Sequence, residues 1–524
     1  MKSKNEFLAL LCGLYITVLS AVLPLYTGEG YWRLGETKYL LFYNVTLICL
    51  LLWLSVGAGE KLKAMCIRRR LRHGTAEAGE TVVPSAGKGR RRFSGMDCAV
   101  AAYGICVVLS AMLSSYGTAD GFFAALPWMG YEGWHMGAVS QLFFVGIYFF
   151  VSRRYDGSKY PLYLGELALG AVTAIGLLQR LGIDPLGLLR GYNSGDWEYG
   201  HMLSTLGNIN WLCGFYSVAL AFSMEHFLRE ERRGPRILLY VSNTAAFLLL
   251  LIQGSSGGIL IAAACACVCL WLGRNRLQAL QRILAVTAGV FLMMPVWGCL
   301  MRFAGDRSGV ARDGNLLWVT VWYGWLIGAA VCVALMIAAA ALPADVVRRT
   351  VSALLPAGIL LGFVFGAMLF SERGFDDGFA SGRGFLWRIS LESFGQAGIK
   401  DKLFGVGPDC YAEAVFSEYA ADAEVWRGTY WEGAVFTNAH SEPLNQLIDV
   451  GILGLLSYSS IFAAGLFRYR RVPLGLLALV MYGVHSLVSF QQVLSTPLLF
   501  LALGICESIR VKESDFEERW RINS

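Results

Sequence analysis

The residues that offer chemistry gather in one part of the chain. His440 stands in Asn438-Ala439-His440-Ser441-Glu442-Pro443-Leu444. Ser441 or Glu442 ahead of Pro443 marks a helix start, because proline suits the first helical turn. His440 would then sit beside the positive end of a helix, which favours its neutral form. A neutral imidazole at neutral pH is what a general base requires. On position alone, an interfacial histidine bonded to its neighbours is the simpler reading. Arg383, in Ser381-Gly382-Arg383-Gly384-Phe385-Leu386-Trp387, begins an amphipathic helix that carries Arg388 five residues on. Guanidinium groups grip phosphate oxygens in bidentate fashion, so an enzyme acting on a lipid pyrophosphate could use them to hold substrate and stabilise the departing phosphate. Salt bridging to Asp376, Asp377 or Glu392 is the plainer alternative.

Asn208 and Asn210, in Gly207-Asn208-Ile209-Asn210-Trp211, lie at the edge of an apolar run. Amides at membrane depth need partners, and two readings stay open: they line a cavity, or they bond neighbouring helices. Gly254-Ser255-Ser256-Gly257-Gly258 reads as a tight turn, where glycine serves the turn alone or lets a lipid headgroup approach closely. No Gly-x-Ser-x-Gly, P-loop, His-Glu-x-x-His or paired Cys/His metal spacing occurs in a convincing context. Cys265, Cys267 and Cys269 point in different directions on one helix, which argues against a metal there. No cofactor and no metal are expected, and ATP-driven pumping within this chain is excluded.

What must position these residues is a stack of membrane spans. Of 524 residues 56% are hydrophobic and only 16% charged, where soluble chains carry about 25% charged. That excludes both a soluble and a disordered chain. Fourteen segments are apolar and long enough, or nearly so, to cross a bilayer: 7–25, 39–58, 96–116, 135–152, 161–181, 205–224, 237–253, 259–272, 283–301, 315–342, 351–371, 443–467, 473–489 and 495–508. Twelve or thirteen spans are also compatible with the pattern. With the N-terminus inside, alternation puts 31 of the 44 Lys and Arg residues in inside segments, including the runs Arg68–Arg70 and Arg90–Arg92. This asymmetry predicts both termini in the cytoplasm. The net charge of +6 therefore reads as topology, and no nucleic-acid partner is expected. The first segment resembles a signal-peptide core but lacks a small-x-small cleavage site, so it reads as an uncleaved span. Cys410 is the one cysteine in an outer loop, and no structural disulfide is expected.

Two loops interrupt the pattern. Residues 59–93, rich in Gly, Ala, Arg and Lys, read as a disordered basic cytoplasmic loop near anionic headgroups. The outer segment 372–442 holds most of the outer charges together with Trp387, Trp426, Tyr430 and Trp431. Helical spacing runs over Phe385–Phe394 and Tyr411–Tyr419, with a turn cluster at Gly405–Asp409. Loops this long are usually functional, so chemistry is to be sought on the outer face.

Taken together, these blocks resemble the O-antigen ligase and polymerase family. The stretch from Asn438 to Leu455 is similar to that family's closing block, where a histidine precedes a leucine-rich helix with an acidic residue and a Gly-x-x-Gly step. Ser381-Gly382-Arg383 with Leu386-Trp387, and then Leu403-Phe404-Gly405-Val406-Gly407-Pro408, resemble the preceding loop block. Gly207-Asn208-Ile209-Asn210 resembles its glycine–asparagine segment. The matches cover roughly residues 200–460. The resemblance implies an inverting, metal-independent glycosyltransferase in the cytoplasmic membrane of a bacterium, active on the outer face. The donor would be a glycan on undecaprenyl pyrophosphate and the acceptor a sugar hydroxyl on a glycan or glycolipid. By analogy His440 would activate the acceptor hydroxyl and Arg383 would bind the pyrophosphate, with Arg388, Arg190 and Arg180 as further candidates. Asn208, Asn210 and Ser256 would line the cavity. Ser256 departs from the family, which usually places arginine there. The competing readings are a transporter or lipid-linked glycan flippase without bond chemistry, and a protein that keeps the fold without activity. A transporter is expected to show broken helices, and none is evident in the sequence.

Overall fold

In hydrocarbon every backbone N–H and C=O must be paired, so an isolated apolar run of spanning length has to become a helix. The computed structural model describes residues 2–72, 93–117, 125–193, 196, 200–304, 322–373, 376–416 and 436–523. Its helices are α1 (Lys2–Thr17), α2 (Leu34–Arg72), α3 (Gly95–Leu113), α4 (Ala138–Arg154), α5 (Tyr160–Arg180), α6 (Ile209–Arg229), α7 (Arg233–Ile252), α8 (Ser256–Gly273), α9 (Leu277–Ala304), α10 (Gly324–Ala341), α11 (Ala344–Arg373), α12 (Phe379–Gln396), α13 (Ile399–Phe404), α14 (Glu442–Asp449), α15 (Gly451–Arg468), α16 (Pro473–Ser486) and α17 (Thr496–Asn523). The hairpins β1 (Ala125–Leu126) with β2 (Gly130–Tyr131), and β3 (Met202–Leu203) with β4 (Gly207–Asn208), are antiparallel and two-stranded. This is an all-α polytopic membrane fold. Among the described residues nine helices are long and apolar enough to cross a bilayer, and they coincide with nine of the fourteen segments read from the sequence. The remaining five, 135–152, 205–224, 351–371, 473–489 and 495–508, fall on α4, α6, α11, α16 and α17.

One continuous core joins α1 to the C-terminal helices. Tyr15, Phe42, Tyr103, Phe144, Tyr216 and Phe500 are all buried in it. The chain's apolar surface points outward as well. Ile327 and Ile337 on α10 are 67% and 66% exposed, as suits side chains whose solvent is lipid. A second, smaller core gathers Phe385, Leu386, Ile389, Tyr411, Phe436 and Ile448, so the described residues that follow α11 pack together.

Three local outcomes differ from the sequence reading. α2 runs on to Arg72, so the first part of the 59–93 loop is helical rather than disordered. Lys, Leu, Ala, Met and Arg between 61 and 72 are good helix formers, and a spanning helix already nucleated extends through them. Residues 73–92, with Arg90–Arg92, lie outside the described residues, as do 417–435 with Trp426, Tyr430 and Trp431. Within Tyr411–Tyr419 the described part is a π-helical turn, Ala412–Phe416. The expected continuous span 443–467 is broken. α14 ends at Asp449, and α15 starts at Gly451 with φ +77°. A Cβ on Gly451 would lie 2.5 Å from the backbone N of Gly405 and the carbonyl of Leu403. The Gly405–Gly407 segment crosses there, with Val406 N–H donating to Ile448 O and Gly407 N–H to Asp449 O, both at 3.0 Å. The carbonyls freed by the break thus find partners, as broken backbone at membrane depth requires.

Candidate functional site

Arg383 sits in the first turn and a half of α12. Its Nε donates to Val488 O at 3.2 Å and its Nη1 to Ala380 O at 2.8 Å. The first bond reaches 105 residues along the chain to the turn that follows α16. Arg383 is buried and lies within electrostatic reach of His440, His485 and Cys213. A buried guanidinium is a strong attractor for an anion.

His440 precedes α14, as the sequence suggests, with Ser441 at the N-cap position. Its backbone is left-handed, φ +48°, and is held there by its neighbours. Asn438 Oδ1 accepts from His440 N–H at 3.1 Å, and Asn445 Oδ1 accepts from Ala439 N–H at 2.7 Å. Trp387 Nε1 donates to Ala439 O at 3.1 Å, which ties the loop to α12. The imidazole meets Phe436 and Phe490 edge-on, at 5.9 and 5.2 Å between centroids. Phe490 in turn packs on Trp134 at 4.7 Å, and Trp134 on Trp211 at 5.8 Å. Burial first, and the Arg383 charge second, lower the His440 imidazole to about 3. It is neutral at physiological pH.

Two further helix starts meet at this end of the bundle. Asn208 caps α6, its side chain accepting from Asn210 N–H at 2.8 Å. Ser255 caps α8 and donates its hydroxyl to Asn210 Oδ1 at 2.7 Å. A Cβ on Gly257, in the first turn of α8, would lie 3.5 Å from the His485 ring, and one on Gly258 would collide with Leu250 O. The N-terminal N–H groups of α6 and α8 therefore stand close to His485 and so to Arg383, an arrangement that favours negative charge.

The other predicted residues divide clearly. Arg388 pairs in bidentate fashion with Asp377, at 2.9 and 2.8 Å, and with Glu392 at 3.3 Å. Salt bridging thus takes Arg388, whereas the bonds of Arg383 run to the carbonyls of Val488 and Ala380. Arg190 is exposed in the turn after α5, its guanidinium folded over Gly187. Arg180 is buried and donates to Gln253 O at 2.5 Å, bracing the turn that leads to α8. Asn208 serves as a cap and Asn210 links two helix starts. Ser256 is exposed at the first position of α8.

Three residues matter more than their sequence context suggests. His485, at the end of α16, is 3% exposed and bonds the Asn210 backbone. An ionisable residue in an apolar segment is the signal that marks it. Asp409 Oδ2 accepts from Tyr131 N–H at 2.7 Å and Met136 N–H at 2.9 Å, pinning the β1–β2 hairpin to the loop. Burial pushes its carboxyl up to about 7. Glu442, two residues after His440, accepts from the hydroxyls of Tyr458 and Tyr482, and burial raises it to about 7 as well.

No protein-family model matches this chain, and no curated protein matches it either.

Proposed function

We propose that this chain is an inverting membrane glycosyltransferase of the polysaccharide ligase or polymerase kind, working on the outer face without a metal. The observation that carries the reading is the meeting of Arg383 and His440, far apart in sequence, at one end of the bundle beside the starts of α6 and α8. His440 Nδ1 or Nε2 would take the proton of an acceptor hydroxyl as that oxygen attacks the anomeric carbon of the donor. The bond from that carbon to the lipid pyrophosphate breaks on the opposite side, and the pyrophosphate departs with the electron pair. Arg383 and the helix N-termini stabilise the charge that builds on it. Anion binding at Arg383 also cancels one of the two causes that lower the His440 imidazole, so the base strengthens when donor is bound. The wall formed by Phe490, Trp134 and Trp211 offers apolar faces to sugar rings.

A second reading draws on the break between α14 and α15 and the non-helical stretch between α16 and α17. Interrupted helices mark substrate sites in transporters, so carriage of a lipid-linked glycan without bond chemistry is the competitor. Profiling lipid-linked glycans and the finished polymer in a strain carrying His440→Ala separates the two. The glycosyltransferase reading expects transfer to stop, with the lipid-linked donor accumulating, while the variant inserts normally. Unchanged chain length and attachment would sink it.

A further inference from the structure

At the opposite end of α6 the bundle holds a groove of about 640 Å³ between α5 and α7. Its walls are apolar, from Leu167, Ala174, Leu177, Leu238 and Val241. From Tyr163 to Leu177 it follows α5 for about 21 Å, longer than the ~15 Å depth of one leaflet's hydrocarbon. Leu167 and Leu238 are 66% and 67% exposed, so the groove opens sideways, toward lipid. One end carries charge: Glu166, His226, Glu230 and Arg232 line it. The distribution of basic residues assigns this end to the cytoplasm.

The charges at the mouth are incompletely matched. His226 stands between two carboxylates, 3.7 Å from Glu166 Oε1 and 3.7 Å from Glu230 Oε2. Arg232 satisfies Glu230 with Nε and Nη2, both at 3.0 Å, while its side chain stays 69% exposed. Glu166 Oε2 is buried and has no hydrogen-bond partner among the described residues. A carboxylate oxygen left unpaired against hydrocarbon is costly. A primary ammonium, with three donors and a positive charge, would satisfy it, and the exposed guanidinium of Arg232 would meet a neighbouring phosphate.

We propose that this groove is a binding site for an aminophospholipid of the phosphatidylethanolamine type, its acyl chain along α5 and α7, its ammonium on Glu166 and its phosphate on Arg232. Phosphatidylcholine lacks the N–H donors, and phosphatidylglycerol brings no cation to Glu166. The site is independent of the reaction proposed at the other end of the bundle. The test is retention of each lipid by the full-length protein, measured by native mass spectrometry after exchange in micelles holding equal amounts of the three lipids. Phosphatidylethanolamine is expected to be retained about tenfold over the others, the ratio that one charge-assisted hydrogen bond supplies. Glu166→Gln is expected to erase that preference. Gly170→Leu is the second variant: a Cβ at Gly170 meets no heavy atom within 4 Å, so the new side chain fills the groove rather than the protein, and retention should fall at an unchanged unfolding temperature. Equal retention of the three lipids, or preference for phosphatidylglycerol, overturns the proposal. So does a phosphatidylethanolamine preference that survives both variants.

Discussion

Glu442 offers a sharp test of how the His440 loop is held. Its side chain is 1% exposed and joins α14 to α15 through Tyr458 and to α16 through Tyr482, whose hydroxyl also meets Thr496 Oγ1 at 2.8 Å. Glu442→Ala removes the acceptor from two buried hydroxyls. Each unsatisfied group costs about 1–3 kcal/mol, and Tyr482, which keeps Thr496, falls at the low end, so the loss is about 2–5 kcal/mol. Glu442→Gln retains an oxygen in the same place and mimics the protonated acid at a cost below about 1 kcal/mol, and at pH 6 it escapes the ~2 kcal/mol that ionisation of the unfolded wild type costs, so there it is at least as stable as wild type. The raised carboxyl adds a pH signature. The unfolded chain ionises near 4.5 and the folded one near 7, so the unfolded state binds fewer protons in between. The stability from this group is complete below pH 4.5 and is lost as pH rises through 7, by about 3 kcal/mol in all. Thermal unfolding in detergent, followed by tryptophan fluorescence from pH 4.5 to 8, reads both effects. The difference between wild type and the Gln variant isolates Glu442 from Asp409, which acts in the same direction, and from His440, which acts in the opposite one. Equal damage from Gln and Ala at pH 6, or a wild-type-minus-Gln difference flat across this range, refutes the buried-acid account.

Other perturbations follow from particular contacts. Arg383→Lys keeps the charge but loses the fork, and transfer activity in membranes is expected to drop about 10²–10³-fold; near-normal activity would reduce Arg383 to a structural role. Asp409→Ala strands the N–H groups of Tyr131 and Met136 and should destabilise by about 2–6 kcal/mol, whereas Asp409→Asn, still an acceptor, should cost far less in the same unfolding assay. Gly451→Ala sets a Cβ 2.5 Å from backbone atoms of Leu403 and Gly405 at positive φ. Proteolysis of the loop crossing the α14–α15 break is expected to accelerate in that variant, and unchanged protection would show that the crossing is not tight.

Hydropathy made the spans legible, because a segment's need for an apolar solvent is written in its composition. It could not show which polar groups pair. Arg383 and Arg388 lie in one helix with similar surroundings in sequence, and only the folded chain separates them: Asp377 and Glu392 reach Arg388, whereas Arg383 bonds a carbonyl 105 residues away. The break at Gly451 was hidden for a related reason. A glycine inside a leucine-rich run is compatible with a helix, and what forbids continuity is a loop segment crossing from another part of the chain. An ionisable residue in an apolar segment marks His485, but its partner is a backbone atom, which no side-chain pattern announces. His440 and its helix start were readable because proline and capping residues act locally.

The left-handed backbone at His440 has an evolutionary consequence. A residue with a Cβ costs about 1–2 kcal/mol in that conformation, and glycine escapes the cost. Glycine at position 440 would relieve that cost while giving up the ring's edge-on contacts with Phe436 and Phe490. A histidine survives there only while its ring returns more, through those contacts or through chemistry, than the backbone costs.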